Sequence, residues 1–262
     1  MPDFPVYLAH DHMQRLEDYQ RDLDGGVSGK IVHLTVDSWI DAPTQEDYDN
    51  SYDSYDGYRD RGLGALTNLH AVAGDPDSNI RVVREFGDLE LARKEGNLAV
   101  IAGNEGGKIL GSDPSLLDAW FPMGLRHVQF NWAMPNRLGA SQDQESDPAQ
   151  PGLTDFGRQT IEGMNERGMI VDVSHSAPQT ILDALQTTTK PILNSHSGGR
   201  AIADKPQNLW DEQIKAMGDN GGVIGMHFCS RLVLGVNGVQ AEIADVVKQI
   251  WYVADVGGID VV

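Results

Sequence analysis

Two neighbouring apolar runs of the sequence each end in a histidine. Residues 171–175 read Val-Asp-Val-Ser-His and residues 192–196 read Ile-Leu-Asn-Ser-His. The residues between them, from Pro178 to Leu185, have a helical pattern, so the stretch predicts a strand, a helix and a second strand. Parallel strands joined by such a crossover end on one side of a barrel, where the active site lies. We therefore expect His175 and His196 to be metal-binding side chains at neighbouring strand ends.

A second pair of histidines follows the first apolar run of the chain. Residues 4–9 are predicted to form a buried strand, and the next three residues are His10, Asp11 and His12. Side chains alternate along an extended chain, so His10 and His12 point to one side and Asp11 to the other. Two imidazoles on one side suit a transition-metal ion, although a polar pair in a loop also fits these residues.

A carboxylate between glycines follows another predicted strand. Residues 98–102 are apolar, and residues 103–107 read Gly-Asn-Glu-Gly-Gly. Because glycine lets the backbone turn tightly, Glu105 is well placed to approach a metal; a plain turn with an exposed Glu is the alternative. Two further histidines, His33 and His127, fall inside predicted strands, and we interpret both as structural residues packed in the core.

A regular alternation of strands and helices must position these side chains. The predicted strands are residues 4–9, 30–36, 98–102, 125–131, 171–175, 192–196 and 221–226, and an eighth begins at Ile259. This alternation favours one α/β domain of residues 1–262, a TIM-like (β/α)8 barrel truncated after the start of strand 8. A doubly wound open sheet is the alternative, but its nucleotide-binding form would have a glycine-rich phosphate loop after the first strand.

Composition restricts the class of partner. The chain has 262 residues and is 40% hydrophobic, which is enough for a sizeable core. Its formal net charge of −19 makes nucleic acid and anionic membranes poor partners, whether the acidic surface is ordinary or salt-adapted. No apolar run reaches the roughly 18 residues of a membrane span. The single cysteine, Cys229, excludes an internal disulfide, and the N-terminus lacks a signal-peptide pattern, so we expect a cytoplasmic protein.

The candidate residues and several others form a set of short motifs, which are Asn104-Glu105-Gly106-Gly107, Gly124-Leu125-Arg126, Asp172-Val173-Ser174-His175, Ser195-His196-Ser197, Asn208 and Asn220-Gly221-Gly222-Val223. This set resembles the membrane dipeptidase (renal dipeptidase) family of the amidohydrolase superfamily. The resemblance extends from about residue 5 to 262, and it implies a TIM-like barrel, two zinc ions and hydrolysis of dipeptides. It also implies that Glu105 is the catalytic carboxylate that bridges the ions. His175 and His196 would bind one ion, and His10 would be the first ligand of the other.

The sequence departs from the family pattern in four places. His12 stands where the family has Asp, and Trp132 stands where it has a substrate-contacting His. Gln207 replaces an Arg that holds the substrate, and the acid/base Asp of the family would follow strand eight, beyond Val262. The predicted metal ligands are His10, His12, Glu105, His175 and His196, and the predicted substrate-binding residues are Trp132, Arg200, Gln207 and Asn208.

These observations predict a zinc-dependent hydrolase that cleaves dipeptides or related small amides. One alternative is an amidohydrolase for a different small amide or lactam, because Trp132 and Gln207 alter the substrate pocket; another is a non-catalytic metal-binding homologue. Because the eighth strand only begins and the acid/base Asp of the family would follow it, we expect this chain to be a weak catalyst. If it is fully active instead, His227 is the nearest candidate for the acid/base group. Apolar surface exposed by a missing last helix would favour association, for instance as a homodimer.

Overall fold

A computed structural model describes residues 4–37, 55–132, 136–144 and 152–262 of the chain. The Tyr- and Asp-rich excursion at residues 41–60 and the polar loop at residues 134–154 therefore lie partly outside the described residues. The chain forms two compact units, Met1–Val128 and Gln129–Val262. In each unit, parallel strands alternate with helices.

The first unit contains five strands and four helices among its described residues. The strands are β1 (Tyr7–Asp11), β2 (Gly29–Val36), β3 (Ile80–Val82), β4 (Leu98–Glu105) and β5 (Leu125–Gln129), and the helices are α1 (Leu16–Asp24), α2 (Tyr55–Ala73), α3 (Gly87–Glu95) and α4 (Leu117–Met123). The strand order is β1-β2-β4-β5, and β3 pairs with β4. Strands β2 and β4 are buried along almost their whole length, as expected for parallel strands that are covered on both faces.

The buried side chain of Lys30 fixes which way the side chains of β1 point. Lys30 of β2 is buried, and its Nζ lies 2.8 Å from Asp11 Oδ2 and 2.7 Å from Asp22 Oδ2. A buried ammonium is tolerated when it is paired and hydrogen-bonded in this way. The pairing holds the Asp11 side chain on the side of β1 that faces Lys30, so the neighbouring histidines point the other way.

The second unit contains three strands and five helices among its described residues. The strands are β6 (Ile170–Asp172), β7 (Leu193–Ser197) and β8 (Val223–Met226), and the helices are α5 (Asp155–Arg167), α6 (Pro178–Thr187), α7 (Asp211–Asn220), α8 (Ser230–Leu234) and α9 (Ile243–Gly257). The order is β6-β7-β8, and all pairs are parallel. Thr154 caps the start of helix α5, because its Oγ1 accepts a hydrogen bond from the backbone N–H of Gly157 at 3.0 Å.

The fold class is the predicted one, α/β of the TIM-like (β/α)8 type with eight described strands. Three local features differ from the prediction. The first strand is Tyr7–Asp11 instead of residues 4–9, and its residues are exposed or half-buried instead of buried. Residues 80–82 form a strand that is too short to show a pattern, and Ile259–Val261 forms a 3-10 turn instead of an eighth strand. Gly258 at φ 94° redirects the chain there, and the N–H of Val261 bonds to the Gly258 carbonyl at 3.3 Å instead of to a neighbouring strand.

The described helices also bear on the expectation of no membrane span. Within residues 4–37, 55–132, 136–144 and 152–262, no helix combines the length and the apolar character needed to cross a bilayer. Helix α2 is the longest of them at 19 residues, and its first half includes the charged residues Arg59, Asp60 and Arg61.

Candidate functional site

The two histidines after the first strand lie together. The Nε2 atoms of His10 and His12 are 3.0 Å apart, and the rings meet nearly edge to face with centroids 4.7 Å apart. Asp11 points away from them to Lys30. The predicted alternation is therefore confirmed, and the two imidazoles converge at the carboxyl end of β1.

Glu105 lies next to this pair. It is the last residue of β4 and is only 3% exposed, so the alternative of an exposed Glu in a plain turn is wrong. Its Oε2 is 3.2 Å from Nε2 of His12. The hydrogen bond to Glu105 raises the pKa of His12, against the lowering effect of burial. One carboxylate and two imidazoles are thus brought to one place within the first unit.

The glycine after Glu105 is required by the turn. Gly106 has φ 100°, and a Cβ at this position would collide with the carboxyl group of Asp37. The side chain of Asn104 holds the same turn, because its Nδ2 donates to the Gly106 carbonyl at 2.8 Å and its Oδ1 accepts from Thr35 Oγ1 at 2.6 Å. The Asn-Glu-Gly motif therefore serves to fix the direction of the Glu105 carboxylate.

His33 is buried, as predicted, but its neighbours are other imidazoles. It is 1% exposed, and its ring centroid lies 4.1 Å from that of His10 and 5.1 Å from that of His127. Burial holds the pKa of His33 well below its ordinary value, so the ring is neutral near pH 7. The sequence could place His33 in a strand, but not beside the first histidine pair.

The second predicted pair, His175 and His196, is also confirmed as a pair. Their Nε2 atoms are 2.9 Å apart, and both residues are buried. His175 has φ 63°, a left-handed conformation that is uncommon for a residue other than glycine and that the surrounding structure must hold. This backbone conformation turns the imidazole towards His196 immediately after β6.

A buried carboxylate and a hydroxyl position this second pair. Asp172 Oδ1 accepts hydrogen bonds from the backbone N–H groups of Ser174 at 2.9 Å and Ser195 at 3.1 Å, the residues that precede His175 and His196. The Ser195 hydroxyl lies 2.9 Å from Nδ1 of His196 and so orients its Nε2. Sequence reasoning named Asp172 only as part of the motif that ends in His175 and gave it no role of its own.

Gln207 contacts the second pair directly. Its Nε2 is 3.2 Å from Nε2 of His175 and 2.6 Å from Nε2 of His227, and the ring of His227 is 4.9 Å from that of His196. A carboxamide nitrogen only donates, so both ring nitrogens act as acceptors in this arrangement. The structure thus brings two predicted residues, Gln207 and His227, to the imidazole pair of the second unit.

The remaining predicted substrate residues have other contacts. Trp132 is half-buried beyond the end of β5. Arg200 is buried, with its Nε donating to Asp204 at 2.8 Å and its guanidinium 4.4 Å from the centre of the Trp210 ring. Asn208 uses its Nδ2 to donate to two backbone carbonyls, at 2.8 and 2.9 Å. Arg200 and Asn208 therefore hold the chain after β7 in place.

The donor groups of both units fit a bound metal ion. Tetrahedral zinc binds imidazole nitrogen at about 2.0–2.1 Å, which puts two such nitrogens about 3.3 Å apart. The Nε2 separations of 3.0 Å in the first unit and 2.9 Å in the second are close to this value. Parallel strands with imidazole and carboxylate side chains at their carboxyl ends define a metal-binding α/β enzyme.

Comparison with known proteins gives the family. A family model described as membrane dipeptidase, peptidase family M19, matches residues 6–262, and the chain belongs to this family. It is therefore a metallo-dipeptidase-like hydrolase, and the resemblance seen in the sequence motifs is confirmed. An uncharacterized protein in the pqqA 5' region of Klebsiella pneumoniae is 29% identical over 200 residues, which are 74% of each chain.

Solved structures show the same fold at low identity. The crystal structure of the probable dipeptidase PvdM from Pseudomonas aeruginosa has a TM-score of 0.83 at 19% identity and covers 98% of this chain and 81% of that one. A metallo peptidase from Rhodobacter sphaeroides, liganded with a phosphinate mimic of the dipeptide L-Ala-D-Ala, has a TM-score of 0.81 at 19% identity and covers 97% and 83%.

Proposed function

We propose that this chain is a zinc-dependent dipeptidase that hydrolyses dipeptides or related small amides and binds two zinc ions. The observation that carries the proposal is the presence of one close imidazole pair in each unit, with Nε2 atoms 3.0 Å and 2.9 Å apart. Two imidazole nitrogens at such a separation, next to a buried carboxylate in the first unit, are the donors that zinc binds in hydrolases.

Each group of donors is proposed to hold one ion. His10, His12 and Glu105 would bind one zinc, and His175 and His196 would bind the other. Bound zinc supplies a Lewis acid that polarises an amide carbonyl and lowers the pKa of a water molecule. The residues of the chain supply orientation: Asp172 and Ser195 hold the second imidazole pair, and the turn at Gly106 holds Glu105.

The neutral side chain of Gln207 bears on the substrate. A carboxamide donates a hydrogen bond to a carbonyl or carboxylate oxygen but lacks the two parallel, charge-assisted bonds of an arginine. Gln207 lies within hydrogen-bond distance of His175, so a group held by Gln207 lies beside the proposed zinc ligands. We propose Gln207 and Trp132 as substrate contacts, with Arg200 and Asn208 shaping the same segment. The dipeptide mimic bound by the Rhodobacter relative supports a substrate of dipeptide size.

A second candidate function follows from the same residue. An amidohydrolase for a small amide or lactam that lacks a free carboxylate would need no arginine, and Gln207 is neutral. A panel of dipeptides tested against small amides and lactams that lack a carboxylate separates the two functions. Faster turnover of dipeptides supports the first, and turnover of lactams alone supports the second.

Metal analysis tests the ligands. We expect purified wild-type protein to carry zinc and the His175→Ala, His196→Ala double variant to lose the ion of the second unit. His70→Ala is a suitable control, because His70 bonds to the carbonyl of Met123 in a different part of the first unit. Equal zinc content in all three proteins would refute the assignment, and zinc binding without turnover of any amide would indicate a non-catalytic homologue.

A further inference from the structure

A third imidazole lies close to the first histidine pair. The ring nitrogens of His10, His12 and His33 include one atom from each residue that all lie within 4.8 Å of one another. His33 comes from β2, and its ring is 4.1 Å from that of His10 and 5.5 Å from that of His12. Two neighbouring parallel strands therefore bring three possible nitrogen donors to one place, whereas the His10-Asp11-His12 motif supplies only two of them.

The surroundings of His33 differ from those of an ordinary core histidine. The residue is 1% exposed, and among the described residues neither ring nitrogen has a hydrogen-bond partner. A neutral imidazole always carries one N–H donor and one acceptor nitrogen. Leaving such a buried group without a partner costs about 1–3 kcal/mol, and buried polar groups in native proteins nearly always have partners. A metal ion next to the three rings would give one of these nitrogens a partner.

The charge of the cluster points the same way. His12 replaces a carboxylate of the family pattern, and the carboxylate next to it is that of Glu105, whose Oε2 lies 3.2 Å from Nε2 of His12. Without a further ligand, the substitution leaves the ion with two imidazoles and one carboxylate. Zinc in proteins is commonly bound by four donors, and His33 brings the total to four. The four come from β1, β2 and β4 of one unit, with His12 directly after β1.

We propose that His33 is a ligand of the metal ion bound by His10, His12 and Glu105. The ion is then held by three neutral imidazoles and one carboxylate, a set that favours zinc, cobalt, nickel or copper over magnesium or manganese. The proposal deepens the proposed function, since it concerns the same centre. It also holds if the protein hydrolyses no dipeptide, because it requires only that the first unit binds a metal.

The experiment isolates the ion of the first unit. In a His175→Ala, His196→Ala background, the remaining zinc reports on the first unit, and its affinity is measured by competition with a chromophoric chelator. Adding His33→Phe, which keeps an aromatic ring in the buried position, should weaken zinc binding by at least about 10-fold, the lower limit seen when even an outer partner of a metal ligand is lost. Adding His70→Phe instead is the matched control and should leave the affinity unchanged.

The cobalt-substituted protein gives a second readout that needs no substrate. Removal of a ligand nitrogen should change the visible absorption of Co2+ in the His33→Phe protein and leave the spectrum of the His70→Phe protein unchanged. Equal zinc affinity and an unchanged cobalt spectrum in the His33→Phe protein would overturn the proposal. If His33→Phe in the otherwise wild-type protein abolishes dipeptide turnover but leaves the zinc affinity unchanged, His33 affects the substrate and not the metal. That result would also count against His33 as a ligand.

If His33→Phe fails to fold, the wild-type protein still decides the question. With 15N-labelled histidine, zinc addition should shift a ring nitrogen resonance of His33 together with those of His10 and His12, whereas the resonances of His70 should stay in place. A His33 resonance that does not move when those of His10 and His12 do would show that His33 is a core histidine and nothing more.

Discussion

Gly106→Ala should destabilise the protein and weaken metal binding by moving Glu105. Gly106 has φ 100° and ψ 152°, a backbone region that only glycine occupies freely, and another residue there is strained by about 1–3 kcal/mol. The new methyl group would also collide with the buried carboxyl group of Asp37, which accepts a hydrogen bond from the Lys108 N–H at 2.9 Å. Such overpacking adds about 1–3 kcal/mol, so we expect a total loss of about 2–6 kcal/mol.

Gly96→Ala is the matched control, because it separates backbone strain from collision. Gly96 has φ 75° at the end of α3, and a Cβ there meets nothing within 4 Å. The left-handed conformation alone should cost about 1–2 kcal/mol, and both alanines gain the same small amount from a less flexible unfolded chain. Urea unfolding of the three proteins gives the free energies of unfolding, and chelator competition gives the zinc affinity.

The two glycine variants should therefore differ. Gly106→Ala should lose more stability than Gly96→Ala and should also bind zinc more weakly, while Gly96→Ala keeps the wild-type affinity. If the two variants lose the same free energy of unfolding, the contact with Asp37 has no energetic consequence. If Gly106→Ala loses stability but keeps full zinc affinity, the turn does not direct Glu105 and the proposed ligand role of that carboxylate is refuted.

The remaining predictions concern one proposed substrate contact, Gln207, and one buried amine, that of Lys108. Gln207→Arg should improve binding of dipeptides by at least a few fold, because arginine adds a charge-assisted fork for a carboxylate; an unchanged KM for dipeptides, with Gln207→Asn as control, would mean that another residue supplies this contact. Burial lowers the pKa of Lys108 to about 8, so between about pH 8 and 10 the unfolded chain binds more protons and the free energy of unfolding should rise with pH. Urea unfolding from pH 7 to 10 should show a smaller rise in Lys108→Met, and parallel profiles of the two proteins would contradict the prediction.

The sequence by itself determined the fold class and the positions of the candidate ligands along the chain. Short apolar runs such as residues 98–102 and 192–196, separated by helical patterns, indicate parallel strands, because local periodicity reports which side of each element is buried. The alternation rule placed His10 and His12 on one side of the chain and Asp11 on the other, and the motifs around Glu105 carried the family. All of these inferences use residues that are close together in sequence.

Tertiary structure alone decided which of these residues touch. Glu105 contacts His12 across 93 positions of the chain, and the ring of His33 lies against that of His10. Both contacts depend on the register of β1, β2 and β4, because the register decides which side chains of neighbouring strands lie side by side. The sequence could equally place His33 in an apolar core. Likewise, Gln207 follows β7 by ten residues, and only the folding of that segment brings it to His175. Pairing register and loop path depend on packing over the whole unit, which no local pattern records.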